Sequence, residues 1–124
     1  MSSIDKFSLV IVGRSRYAYK VDFSKGFLHE LGHSLGLRDE CISCEKVEPG
    51  YPNCAPNKEL AKQWWGELAG KYPGVDYING CCGNPGYIRP TIASLMNDIF
   101  KAANYGLVNE EYLRKELLRL KQKN

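Results

Sequence analysis

His29-Glu30-Leu31-Gly32-His33 sets the strongest constraint on this chain, because its only two histidines stand four residues apart. On an α-helix, residues at that spacing share one face, so the pair predicts a helix here. The same spacing lets both imidazoles reach one zinc ion, with Glu30 beside it as a proton acceptor. Phe27, Leu28, Leu31 and Leu35 fall on another face, which predicts a helix with one side in the core and one on the metal. Ser24 is its expected N-cap and Gly36 its expected stop. Gly32 and Gly36 lie on the flank between the two faces, where another backbone can approach closely.

Catalytic zinc keeps three protein ligands and one open position. With no third histidine in the chain, the remaining ligand has to be a carboxylate or a thiolate. A helix stopped at Gly36 can turn sharply and bring Asp39, three residues on, back to the ion. Glu59 on a later helix, Glu40 and Cys41 are the rivals for that place. The glycine favours Asp39, since a distant helical ligand would not require it.

The full stretch His29-Glu30-x-x-His33-x-x-Gly36-x-x-Asp39 resembles the extended motif of the metzincin metallopeptidases, with aspartate in the final place. That aspartate is similar to the one in snapalysin-like metzincins, and the helix sequence is also similar to that of the matrixins. Asp39-Glu40, and Gly86-Tyr87-Ile88-Arg89-Pro90 leading to Ser94-Leu95-Met96, look most like the IgA-peptidase-like metzincins. The resemblance implies an α+β, zincin-like catalytic domain with an N-terminal sheet, an active-site helix, a methionine turn at Met96 and a C-terminal helix. It implies one catalytic zinc on His29, His33 and Asp39, with Glu30 as general base and then general acid in peptide-bond hydrolysis. Tyr87, Arg89 and Tyr105 are the candidates for an additional oxyanion donor.

Around that motif, residues 7–12 read as a strand and residues 17–23 as a second, edge strand, where a peptide substrate would add. Only 23 residues precede Ser24. The sheet is therefore expected to be small or truncated, its bare apolar surface covered by an upstream segment, a partner or self-association. Residues 40–56 read as a cysteine- and proline-rich loop. Asn57 caps a helix at about 58–69, with Leu60, Ala61, Trp64 and Leu68 on one face and both tryptophans in the core. Residues 71–90 read as loop, and Asn109 caps a last helix at about 110–122 with Leu113, Leu117 and Leu120 inward. One domain over 1–124 is expected.

Five cysteines leave two uses open. Cys41, Cys44, Cys54, Cys81 and Cys82 can supply four thiolates to a second, structural zinc, or form two disulfides and leave one thiol. The net charge of +3 owes much to the C-terminal helix, where cations alternate with glutamates as on a solvated face. No basic–aromatic motif accompanies it, so nucleic acid is not an expected partner. No apolar run approaches the ~20 residues of a membrane helix, and no secretory signal is visible, which favours the cytoplasm. The expected partner is a peptide or protein substrate. The alternative is a zinc-stabilised binding or structural module whose cleft is incomplete and inactive.

Overall fold

The helix expected around the histidines forms as α1, Asp22–Ser34, in a computed structural model that describes residues 22–122. It begins before the expected cap, so Ser24 lies within it, and Asp22 and Phe23 are helical rather than the end of an edge strand. The strand expected at 7–12, and residues 17–21 of the second, lie outside the described residues. Leu28 is buried and Leu31 and Leu35 pack partly against the same core, whereas Phe27 is half exposed.

Helix α2, Lys58–Lys71, starts where its cap predicts: the Asn57 side-chain oxygen accepts from the Leu60 amide at 2.9 Å. The backbone leaves helical geometry at Trp65 (φ −136°, ψ 16°). Ala61 and Trp65, four apart, are the buried positions, with Trp64 only partly covered, edge-on to Tyr51. The Trp65 indole N–H donates to the Asp76 carbonyl at 2.8 Å, which satisfies its polar edge inside the core.

The stretch 71–90 is not all loop. β1, Ile78–Cys81, and β2, Asn84–Arg89, pair antiparallel with Ile78 opposite Arg89 and Cys81 opposite Asn84. Their two-residue connection, Cys82-Gly83, has φ of 55° and 71°. Positive φ at both positions is the turn whose twist suits a tight hairpin. Arg89 fastens the pair, its guanidinium donating to the carbonyls of Asn79, Gly80, Thr91 and Ile92. The strands are short and rich in Gly, Pro and Asn, so apolar alternation gives them no signature.

Helix α3, Leu107–Gln122, starts ahead of the expected cap. Asn109 is therefore buried within its first turns beside Val108, and Leu113 and Leu117 face inward while Leu120 is only partly covered. Its outer face carries the ion pairs Glu111–Arg114, Glu111–Lys115 and Glu116–Arg119, the solvated charge pattern expected there. The whole is a mixed α+β fold of three helices and one two-stranded sheet among the described residues. One core lies under α1 and α3 and holds Leu28, Leu37, Leu95, Met96 and Tyr105. A second, around Trp65, joins α2 to the hairpin and to Val108. Ile92 and Phe100 stand exposed, and no helix among these residues is long and apolar enough to cross a membrane.

Candidate metal centre

The end of α1 builds the site. The Leu37 amide donates back to the Gly32 carbonyl at 2.9 Å and the Gly36 amide to the His33 carbonyl at 3.0 Å. This is the paired hydrogen-bond pattern of a Schellman ending, with Gly36 in its left-handed position at φ +110°. A Cβ at Gly36 would also lie 2.5 Å from the Tyr112 hydroxyl, which donates to the Leu35 carbonyl. The turn buries Leu37 and sends Arg38-Asp39-Glu40 back past the helix.

Asp39 thereby meets the histidines. Its Oδ1 lies 2.9 Å from His33 Nε2 and 3.1 Å from His29 Nε2, and the two Nε2 atoms are 3.1 Å apart. Each ring's other nitrogen faces a backbone carbonyl: His29 Nδ1 donates to Leu95 at 2.6 Å and His33 Nδ1 to Leu37 at 2.9 Å. A carbonyl only accepts, so Nδ1 carries the hydrogen and the neutral ring presents its Nε2 lone pair. Two such lone pairs and a carboxylate oxygen therefore converge. One proton can bridge a single pair of these acceptors, whereas a cation satisfies all three, so the donor set fits a metal ion. The side chains keep 20–34% of their exposure, which leaves an open direction for a further ligand. A cleft of about 420 Å³ lined by His33, Leu37, Arg38, Asp39, Val47 and Glu48 adjoins it. Glu30 is exposed on α1, next in the chain to His29.

Of the rivals to Asp39, Glu40 is turned the opposite way. It is fully buried; Asn53 and Asn109 donate to its Oε2 at 2.6 and 2.7 Å, and Ser94 to its Oε1 at 2.7 Å. Burial pushes its carboxyl above the ordinary value, and the Asn109, Asn53 and Ser94 hydrogen bonds oppose that. Cys41 is bonded to Cys44, and Glu59 is exposed in the first turn of α2.

Met96 packs against Gly32 of α1, between the two histidines in the chain. It is fully buried in a turn over 94–98 in which Asn97 and Asp98 donate back to the Ser94 carbonyl. A Cβ at Gly32 would sit 2.7 Å from its sulfur, so the close neighbour that Gly32 admits is this side chain rather than a backbone. The Glu40 amide donates to the Met96 carbonyl at 2.8 Å, joining the turn to the residue after Asp39. Of the three expected oxyanion donors, Tyr105 is buried and donates to the Leu28 carbonyl, and Arg89 is engaged by four carbonyls. Tyr87 packs against cysteines.

The cysteines follow neither expected pattern as a whole. Cys41 and Cys44 form a disulfide, while Cys54, Cys81 and Cys82 are free, buried and clustered with their sulfurs within 4.8 Å of one another. Sulfur hydrogen bonds from Cys54 and Cys81 hold the Cys82 thiol below its ordinary value, and burial pushes Cys81 up. Sequence reasoning missed the Glu40–Asn53–Ser94–Asn109 network. Its members come from four separate segments, and no spacing announces it. No protein-family model, curated protein or solved structure matches the chain.

Proposed function

We propose that this protein is a zinc-dependent metalloendopeptidase of metzincin type with aspartate as its third ligand. The observation that carries the reading is the meeting of His29 Nε2, His33 Nε2 and Asp39 Oδ1 within 3.1 Å, with both Nδ1 hydrogens committed elsewhere. Two imidazoles and a carboxylate on an open site are the donor set of a catalytic zinc. Such an ion supplies Lewis acidity, acidifying water and polarising a scissile carbonyl. Asp39 places one negative charge against it, which lowers that acidity relative to three neutral imidazoles. The Leu95 and Leu37 carbonyls fix the orientation and tautomer of both rings. Glu30, exposed beside His29, takes the proton of the attacking water and returns it to the departing amine. Met96, packed against Gly32 between the two histidines in the chain, serves as the methionine turn of such a site.

The test compares the zinc-loaded parent with Glu30→Ala on a mixed peptide library. The variant should keep its zinc and lose cleavage by roughly 10²–10⁴-fold. Equal cleavage by parent and variant would remove Glu30 from the mechanism. Zinc retention with no cleavage by the parent would leave the inactive zinc module as the better reading.

A further inference from the structure

We infer that Cys54, Cys81 and Cys82 form a second metal site, separate from the histidine centre, that takes a thiophilic d10 cation, Cu+ or Zn2+. All three residues are fully buried, and their sulfurs lie within 4.8 Å of one another. Sulfurs sharing one ion at metal–sulfur bonds of ~2.3 Å stand roughly 3.8–4.0 Å apart, so closing on it requires shifts below about 1 Å. A disulfide would engage two of these sulfurs and bury the third without a role.

The backbone around them is shaped for convergence. Consecutive residues of a strand point to opposite faces, and Cys81 and Cys82 are consecutive. Cys82 is the only non-glycine with positive φ among the described residues, and at 55° its backbone turns the second thiol to the side of the first. Cys54 arrives from a different loop, closed by mutual backbone hydrogen bonds between Gly50 and Cys54 at 2.7 and 3.0 Å. Charge is met from one side: Cys82 Sγ and Arg38 Nε both approach the Glu48 carbonyl, at 3.7 and 3.2 Å, placing the guanidinium near the thiolates. No fourth ligand joins the cluster among the described residues. Three thiolates alone suit Cu+ in trigonal coordination, and Zn2+ would add one more ligand.

The site also braces the other centre. The Cys82 amide donates to the Asp39 carbonyl at 2.9 Å, and Cys81 Sγ lies 3.7 Å from the same oxygen. An ion on the thiols would thus fix the peptide that carries Asp39.

The experiment uses the full chain, reduced and stripped by chelator, in the parent and His33→Ala forms. Each is loaded separately with Cu+ and with Zn2+, then assayed for metal content and for alkylation of individual cysteines. The His33→Ala form should still bind about one equivalent, and Cys54, Cys81 and Cys82 together should alkylate roughly tenfold or more slowly than without metal. Whichever ion gives that protection identifies the cation. Adding Cys54→Ser to His33→Ala should abolish both binding and protection. Alkylation at the metal-free rate in the parent with both ions would overturn the inference. So would a non-reduced peptide map showing a disulfide within the trio. None of these readouts depends on peptide cleavage, so failure of the peptidase reading and failure of the thiol site are distinguishable.

Discussion

A single buried carboxylate holds the neighbourhood of Asp39 together. Glu40 receives hydrogen bonds from Asn53 of the cysteine-bearing loop, Ser94 of the 94–98 turn and Asn109 of α3, while its own amide donates to Met96. A buried charge is tolerated only when it is fully hydrogen-bonded, and removing it strands every donor aimed at it. Glu40→Ala should therefore reduce the unfolding free energy by about 3–5 kcal/mol in urea denaturation. Glu40→Gln keeps the volume and one acceptor, and should lose less than half as much. A loss within about 0.5 kcal/mol for the alanine variant, the range of ordinary surface changes, would remove Glu40 from this role. Because Glu40 follows Asp39 directly, the alanine variant should also bind zinc more weakly, which calorimetric titration would read.

At the scale of elements, the ending of α1 decides where Asp39 goes. The two reverse hydrogen bonds, the left-handed Gly36 and buried Leu37 form one unit, and Tyr112 of α3 closes over it. A side chain at position 36 would meet unfavourable backbone geometry and the Tyr112 hydroxyl together. Gly36→Ala is expected to cost about 1–3 kcal/mol of stability. It should also displace Asp39 and weaken zinc binding by at least tenfold, about 1.4 kcal/mol. Unchanged zinc affinity would mean that the Asp39 position does not depend on this turn. The hairpin shows the same logic, since two weak strands are held by the Cys82-Gly83 turn and the guanidinium of Arg89.

At the scale of the whole molecule, the histidine centre joins α1 to the segment after it, and its outer support reaches the 94–98 turn, the hairpin and α3. Metal bound only by the folded chain stabilises that chain by mass action. Saturating zinc at about a thousand times its dissociation constant should add ~4 kcal/mol, seen as a rise in Tm that a chelator reverses. In a Cys54→Ser background, which removes the thiol site, His33→Ala should abolish most of that rise under zinc, and a full rise in the double variant would place the stabilising ion outside both centres. The exposed Ile92 and Phe100 lie before and after the 94–98 turn, outside this network.

Local features of the sequence determined the histidine helix, its stop at Gly36 and the Asn57 cap, because each depends on neighbours within one or two helical turns. The same locality made Asp39 legible as the third ligand candidate, three residues past a glycine whose left-handed geometry the structure bears out. Only the tertiary structure decided the rest. Asn109 reads as a cap by residue type, yet its long-range bond to Glu40 places it inside α3. Both tryptophans read as core, yet only Trp65 is fully buried, its indole N–H bonded to the distant Asp76 carbonyl, while Trp64 is partly covered. The five cysteines divide into a bonded pair and a buried trio because the hairpin turn carries Cys81 and Cys82 to the loop that holds Cys54. Contacts of that kind join residues tens of positions apart, and no local pattern of side chains encodes them.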